Sequence, residues 1–147
     1  MYDLIGDVHG YATPLRNLLR KLGYEERQDV WRHPERTVIF LGDFIDRGPE
    51  QLETVRIARG MVEAGAALAV MGNHEFNAIA FASETSEGPG QYLRQHSDKN
   101  RNQDAAFLRA VGVLEPNSMT AEQSKIIEWR RKHIASNAGT RLFLQVR

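Results

Sequence analysis

Residues 37–48 read Thr-Val-Ile-Phe-Leu-Gly-Asp-Phe-Ile-Asp-Arg-Gly, an apolar run that passes directly into a cluster of glycines and charged residues. The continuous apolar and β-branched character of 37–41 is typical of a strand that is covered on both faces of a sheet. Tyr2–Ile5 is a similar short run, and it leads into the cluster at 6–10. A third apolar run at 67–71 leads into 72–75. The sequence therefore predicts three strands, each followed by a polar cluster.

Two amphipathic helices are predicted between these strands. Thr13 and Pro14 are typical of a helix start, with threonine as the N-cap and proline at the first helical position, and Gly23 predicts the stop. Four leucines of this helix recur at helical spacing on one stripe: Leu15, Leu18, Leu19 and Leu22. The second helix is expected to open at Pro49 and to end near Gly65. Its predicted inner face consists of Leu52, Val55, Ala58, Met61 and Val62.

The resulting β-α-β-α-β order predicts the α/β class, with parallel strands joined by crossovers. In such sheets the ligand site is built from loops at the carboxyl ends of the strands. All three polar clusters, at 6–10, 42–48 and 72–75, fall at that edge, so residues distant in sequence are expected to meet there.

The second half of the chain has weaker patterns. Helical segments are expected at 76–82, 104–111 and 120–132, a loop at 83–90 and a last strand at 142–146. We expect one domain over 1–147, with 76–147 as an insert and helical tail.

Composition excludes several classes of function. Nineteen Lys and Arg balance nineteen Asp and Glu, so no net field favours nucleic acid or an anionic membrane. The chain has no cysteine, which excludes disulfides and thiolate metal ligands. No signal peptide and no apolar run of about 18 residues is found. We expect a cytoplasmic enzyme without a membrane or a specific nucleic-acid partner.

The three clusters carry the residues of a two-metal site. Asp7 and His9 lie two apart in an extended turn and can reach one ion, and the carboxylate of Asp43 could bridge two ions. Asn73 offers a neutral carbonyl oxygen to the second ion. Mixed oxygen and imidazole ligands suit Mn, Fe, Zn, Co or Ni better than Ca, and two such ions would activate a water for in-line attack on phosphorus.

The same clusters supply candidates for acid catalysis and phosphate binding. His74 would enter the pocket beside Asn73 and protonate the leaving oxygen, with Asp46 as the carboxylate that holds its ring. Arg47 offers a planar fork to phosphate oxygens. Taken singly, these residues have simpler interpretations, since Asp46 and Arg47 could form an exposed ion pair and Asn73-His74 could be a turn. Their joint placement at strand ends favours a catalytic site.

At these residues the sequence resembles the calcineurin-like metallophosphoesterases. The matching motifs are Gly6-Asp7-Val8-His9-Gly10, Gly42-Asp43-Phe44-Ile45-Asp46-Arg47-Gly48 and Gly72-Asn73-His74-Glu75. The Asp-Arg-Gly extension is similar to the phosphoprotein-phosphatase branch, and within it to bacterial symmetrical diadenosine-tetraphosphatase-like and protein-phosphatase-like enzymes. The resemblance covers about residues 1–110.

The resemblance implies a role for each matching residue. Asp7, His9 and Asp43 would bind a first metal ion, with Asp43 and Asn73 on a second, Mn being favoured. Arg47 would bind phosphate, with Asn73 beside it, and His74 paired with Asp46 would act as the acid. The implied fold is an αββα sandwich, of which this chain would form the βαβαβ half without the C-terminal half.

The family adds two further metal-binding histidines in apolar-His and Gly-His contexts, which have no match here. The remaining candidates are His33 in a polar loop, His96 in the insert and His133 in a basic run. An incomplete second metal site and low activity are therefore expected, from a chain that is truncated or altered in reading frame.

Two hypotheses of function follow. The first is metal-dependent hydrolysis of a phosphorylated small molecule, nucleotide or phosphoprotein. The alternative is a non-catalytic remnant that binds metal or phosphate, against which the retained Arg47, Asp46 and His74 argue. Half of a two-sheet fold would also expose a sheet face and edge, which favours a homodimer.

Overall fold

The computed structural model describes residues 1–110 of the chain. In chain order its elements are β1 (Tyr2–Ile5), α1 (Ala12–Lys21), β2 (Glu25–Arg27), β3 (Val30–Arg32), β4 (Thr37–Phe40), α2 (Gln51–Glu63), β5 (Ala67–Ala69), α3 (Asn73–Ala82) and α4 (Asp98–Ala110). β1, β4 and β5 form one sheet in the order β1-β4-β5, and both pairings are parallel. The predicted α/β class and the β-α-β-α-β order of the sheet are confirmed.

The start of α1 differs from the prediction that Thr13 is its N-cap. The helix begins at Ala12, and Tyr11 occupies the capping position without a side-chain hydrogen bond. Thr13 instead donates its N–H to the Glu50 carboxylate at 2.9 Å and its hydroxyl to the same group at 2.7 Å. The Glu50 carboxylate is a stronger acceptor for this N–H than a capping hydroxyl would be. The two hydrogen bonds join the starts of α1 and α2. The N–H of Thr13, followed by its hydroxyl, lowers the pKa of Glu50.

The inner face of α2 is rotated relative to the predicted one. The helix begins at Gln51, two residues after Pro49. Ala58 and Met61 are buried as expected, whereas Leu52, Val55 and Val62 are half-buried. The fully buried positions are Gln51, Thr54, Ile57, Ala58 and Met61. Two of them are polar, and apolar periodicity could not find them.

The leucine stripe of α1 is only partly buried, and its predicted stop is correct. Leu15 and Leu19 are in the core, while Leu18 remains 40% exposed. Gly23 has a φ of +88° and donates its N–H to the carbonyl of Arg20 at 3.0 Å, which closes the end of the helix. A left-handed residue after the last turn is a common helix termination.

A hairpin between α1 and β4 was not predicted. β2 and β3 pair antiparallel around Gln28 and Asp29, whose φ values of 52° and 61° suit a two-residue turn. The segment is mostly polar, so it lacks the alternating pattern of a strand. Its anchor is Trp31, which is 1% exposed, and Arg20 lies over the indole ring at 5.1 Å from the centroid.

A partly buried polar triad ties β1 to the segments that flank the hairpin. The hydroxyl of Tyr24 donates to Asp3 at 2.9 Å, and the Arg36 guanidinium forms an ion pair with the same carboxylate. The hydrogen bond from Arg36 lowers the pKa of Asp3. Burial, with the bond to Asp3, raises the pKa of Tyr24 to about 12.

The sheet is covered on one face only within residues 1–110. Ile5, Val38 and Phe40 point into the core formed with α1 and α2. On the opposite face Leu4 and Leu68 are 66% and 39% exposed, and both align with Ile39 of the central strand. The expectation that β4 is covered on both faces is therefore wrong for the described part of the chain. This uncovered face is called the open face below.

The segments after the sheet agree in part with the sequence. The helix expected at 76–82 starts earlier, at Asn73, and the one expected at 104–111 is α4, which starts at Asp98. Most of 83–90 is a loop, closed by a bridge between Glu84 and Tyr92. The predictions for 120–132 and 142–146 lie outside the described residues. None of the helices described in residues 1–110 has the length and apolar character needed to cross a membrane.

Candidate active site

The loops that carry the first two polar clusters are joined by backbone hydrogen bonds. His9 donates its N–H to the carbonyl of Asp43 at 2.8 Å, and Gly10 donates to that of Phe44 at 2.7 Å. In the opposite direction, Gly48 donates its N–H to the carbonyl of His9 at 2.8 Å. The loops after β1 and β4 therefore form one unit, as the parallel order of these strands allows.

Two glycines make this close approach possible. A Cβ on Gly48 would lie 2.5 Å from the carbonyl oxygen of Gly10, and one on Gly42 would lie 2.2 Å from the backbone nitrogen of Gly72. Real side chains do not tolerate such distances to backbone atoms. Glycine is required at both positions, because the loop after β4 touches the loop after β1 at Gly48 and the residues after β5 at Gly42.

Asp7, His9 and Asp43 form the one group in residues 1–110 whose carboxylate and imidazole atoms could hold a metal ion together. One ligand atom from each lies within 4.8 Å of the others. All three backbones are left-handed, with φ values of 53°, 46° and 56°. Such conformations cost about 1–3 kcal/mol each for non-glycine residues, and they cluster at functional sites.

The environment of His9 fits a metal ligand. Its Nδ1 lies 3.0 Å from the carbonyl oxygen of Ile45, which can only accept, so Nδ1 carries the proton and Nε2 has a free lone pair. Nε2 is buried without a hydrogen-bond partner, and it faces an Asp7 oxygen at 3.4 Å. Two acceptors this close repel each other unless a cation lies between them. The donor set therefore fits a divalent ion, which binds such atoms at about 2.0–2.2 Å.

His74 and Asp46 form a close pair beside this group. The Nδ1 of His74 donates to a carboxylate oxygen of Asp46 over 2.6 Å, and the two side chains are 13% and 3% exposed. The ring of His74 meets that of His9 edge-on, with centroids 4.7 Å apart. The simpler interpretation, an ion pair between Asp46 and Arg47, is not present: Asp46 turns inward to the histidine.

Arg47 and Asn73 lie at the exposed rim of the candidate site. Arg47 is exposed with a φ of 71°, and within residues 1–110 no carboxylate forms an ion pair with it. Asn73 is the exposed first residue of α3, directly before His74. The backbone N–H of His74 donates to Asp43 at 3.1 Å, so the start of α3 approaches the carboxylate group. Both rim side chains are accessible to a ligand.

Glu75 has a role that the sequence did not reveal. Its carboxylate accepts the backbone N–H groups of Asp43 at 2.8 Å, Phe44 at 2.7 Å and Ile45 at 3.3 Å. It also accepts that of Gly72, three residues earlier, at 3.0 Å. The signal available in the sequence is the spacing, because an acidic residue three positions after a helix cap commonly binds the cap N–H.

Two further histidines, His96 and His33, lie away from this group. His96 is stacked between Phe81 and Tyr92, with centroids at 3.8 and 3.9 Å, and its Nε2 lies 2.7 Å from the Phe81 carbonyl oxygen. That ring anchors the insert rather than a metal. His33 accepts the N–H of Glu35 beyond the opposite end of β4. His133 lies outside the described residues.

Comparison with known proteins identifies the family of this chain and several relatives. The family model described as calcineurin-like phosphoesterase matches residues 2–132, beyond the 110 positions covered by the motif resemblance. A bis(5'-nucleosyl)-tetraphosphatase PrpE, named asymmetrical, from Halalkalibacterium halodurans is 46% identical over 74 residues, which are 50% of this chain and 30% of that protein. The Bacillus subtilis protein of the same name is 43% identical over 74 residues, again 50% and 30% of the two chains.

A third relative of that name, from Geobacillus sp., is 44% identical over 73 residues, or 49% of this chain and 30% of its own. The matched segment thus spans about 30% of the length of these relatives. Their names say asymmetrical, whereas the motifs had suggested the symmetrical type. Since the family model covers most of the sequence and the three motifs converge at one edge of the sheet, this chain belongs to the calcineurin-like phosphoesterase family.

Proposed function

We propose that this chain hydrolyses phosphate esters or anhydrides with the help of divalent metal ions. Asp7, His9 and Asp43 would hold the first ion, and Asp43 and Asn73 would contribute to a second. The observation that carries the proposal is the contact between His74 and Asp46, at 2.6 Å, beside a three-residue metal-binding group. A site for binding alone has no use for an oriented acid.

When bound at these residues, divalent ions would activate the attacking water as Lewis acids and neutralise the phosphoryl oxygens. Manganese is our first choice, because the donors combine carboxylate and amide oxygens with one imidazole nitrogen. His9 contributes through Nε2, since the Ile45 carbonyl holds the proton on Nδ1. The tautomer and ring orientation of His9 are therefore set before any ion binds.

His74 is the proposed general acid. Asp46 accepts a hydrogen bond from the Nδ1–H and thereby orients the ring, so that Nε2 is the atom that would give a proton to the departing oxygen. The low exposure of Asp46 strengthens this bond, because little water competes for the carboxylate. Arg47 would bind two phosphate oxygens through its guanidinium, and Asn73 would also contact the substrate.

The proposed substrate class is a nucleotide phosphate anhydride. Three relatives are named as bis(5'-nucleosyl)-tetraphosphatases, which favours anhydrides of nucleotides over phosphoproteins. The exposed position of Arg47 suits a multiply charged polyphosphate, which offers several oxygens to one guanidinium. Other phosphorylated small molecules share the same recognition chemistry.

The test compares two histidine variants in the presence of Mn²⁺. Hydrolysis of diadenosine tetraphosphate and of phenyl phosphate is measured by product release, and bound Mn²⁺ by calorimetry. His74→Ala is expected to lower the turnover of phenyl phosphate, whose leaving group needs a proton, about 100-fold or more while Mn²⁺ binding persists. His9→Ala is expected to lose both, and His33→Ala is the control that loses neither. Mn²⁺ binding by the unaltered chain without turnover of either substrate would favour the binding-only alternative.

A further inference from the structure

Gln51 follows the motif at residues 42–48. No sequence pattern marked it as a candidate site residue. It is the first residue of α2 and only 5% exposed, which is unusual for a glutamine. Its side-chain oxygen accepts the backbone N–H of Asp46 over 3.0 Å. The buried amide therefore binds the same residue that orients His74.

Asp46 needs such an anchor because its backbone is left-handed, with a φ of 68°. Nothing in residues 1–110 donates a hydrogen bond to its second carboxylate oxygen, Oδ1, which is buried. The direction of the carboxylate is thus set by the main chain of Asp46 rather than by further side-chain donors. The hydrogen bond that the Asp46 N–H donates to the Gln51 side-chain oxygen holds that main chain in place.

Gln51 is itself held between two loops. A Cβ placed on Gly10 would lie 2.6 Å from the Cγ of Gln51, so the glutamine stem packs directly against the first motif. The neighbouring N–H of Glu50 donates to the Gly10 carbonyl at 2.8 Å. Because the amide is buried and wedged in this way, its oxygen has little freedom to leave the N–H of Asp46.

We propose that Gln51 is a positioning residue for acid catalysis: through the N–H of Asp46 it sets the carboxylate, and through the carboxylate it sets the ring of His74. The effect on turnover rests on the proposed hydrolysis. The effect on the ring does not, since it follows from the hydrogen bonds alone. The two effects can therefore be measured separately.

The first measurement uses two substrates that differ only in the leaving group. Phenol departs poorly without a proton, whereas 4-nitrophenol departs readily as an anion. Gln51→Met removes the acceptor at nearly constant volume, and kcat is expected to fall about tenfold for phenyl phosphate but at most about twofold for 4-nitrophenyl phosphate. Equal losses on both esters would overturn a role in positioning the acid.

Thr54→Val is the matched control. Thr54 is buried in the same helix one turn later, and its hydroxyl donates to the Glu50 carbonyl at 2.8 Å. Its removal costs one buried hydrogen bond without touching Asp46. Any change in kcat is expected to be the same for both esters. A preference for one ester in this control would mean that general destabilisation of the helix explains the result.

The second measurement reads the ring directly by proton NMR. The Nδ1 proton of His74, bound to a carboxylate at 2.6 Å, should give a far-downfield resonance that is identified by its loss in His74→Ala. Gln51→Met is expected to weaken or shift it, and Thr54→Val to retain it. Gln51→Glu keeps an oxygen within reach of Asp46 and should restore it.

The outcomes separate the two proposals. A resonance that depends on Gln51 in a chain without turnover would reject the hydrolytic function and keep the positioning role. An unchanged resonance in Gln51→Met would reject the positioning role, whatever the activity. If Gln51→Met does not fold, the glutamate variant decides, because loss of the resonance there overturns the proposal.

Discussion

The carboxylate of Glu75 accepts the backbone N–H of Asp43 over 2.8 Å, so the start of α3 holds the loop that follows β4. The backbone of Asp43 is left-handed, and its side chain belongs to the proposed metal-binding group. The bond therefore positions a proposed metal ligand through its backbone. Removing it is expected to disturb the ligand without removing any atom that contacts the ion.

Glu75→Gln tests this relationship, because an amide cannot accept through both of its heavy atoms. At least one of the N–H groups now bound by Glu75 is expected to lose its partner. The expected results are a loss of about 1–3 kcal/mol in the free energy of unfolding and Mn²⁺ binding weakened about 10–100-fold. Urea titration measures the first and calorimetry the second.

The control for this substitution is Glu84→Gln. Glu84 also accepts a backbone N–H, that of Gly90 at 3.1 Å, but in the exposed loop that follows α3. Its replacement should leave Mn²⁺ binding unchanged. Equal Mn²⁺ affinities for Glu75→Gln and the unaltered chain would show that the hydrogen bond between Glu75 and the Asp43 N–H does not position Asp43.

Arg47→Lys tests the proposed phosphate contact. The lysine keeps the positive charge but loses the planar fork, so KM is expected to rise about tenfold while kcat changes by less than about threefold. Steady-state kinetics with diadenosine tetraphosphate measure both constants. Arg27→Lys is the control, since Arg27 is exposed on the hairpin and pairs with Glu25. A fall in kcat at unchanged KM would instead place the guanidinium at the transition state alone.

The pKa of Asp3 predicts how stability depends on pH. The Arg36 hydrogen bond lowers this pKa in the folded state, so the ion pair contributes stability above the unfolded pKa of about 4. The contribution is lost as pH falls through the lowered folded value. Asp3→Asn should therefore be less stable than the unaltered chain at pH 7, with a difference that shrinks below about pH 4.

Urea unfolding between pH 7 and pH 3 measures this difference. Glu25→Gln serves as the control, because its partner Arg27 is exposed and the pair is expected to contribute little at any pH. A difference for Asp3→Asn that stays constant down to pH 3 would show that charge on Asp3 does not stabilise the fold.

The open face predicts self-association. Leu4, Ile39 and Leu68 are aligned across three strands, and the two outer leucines are exposed. Contiguous apolar surface of this kind favours contact with other protein surfaces. We expect the apparent mass to rise with concentration in light scattering, and Leu4→Lys to suppress the rise. Leu18→Lys, at an exposed leucine of α1, should not. A monodisperse monomer at all concentrations would contradict the prediction.

Local pattern was enough for the sheet and for the residue types of the site. The runs at 2–5, 37–41 and 67–71 each contain a strand of the sheet, because such short runs are the length of a strand rather than of a helix. Glycines beside polar residues at each strand end indicated tight turns. Parallel order then placed these turns at one edge. The start of α1 was missed because Thr13 binds Glu50, a partner 37 residues away, instead of capping its own helix.

The sequence by itself determined which residues could hold a metal and protonate a leaving group, since their chemistry belongs to the side chains. Only the tertiary structure decided how they are held. Asp7, His9, Asp43 and Asp46 all have positive φ, a conformation that isolated residues of these types seldom keep. Glu75 and Gln51 hold the second loop by accepting backbone N–H groups. The three hydrogen bonds that Glu75 accepts from the loop after β4 join residues 30 to 32 positions apart, so they exist only after the sheet has formed.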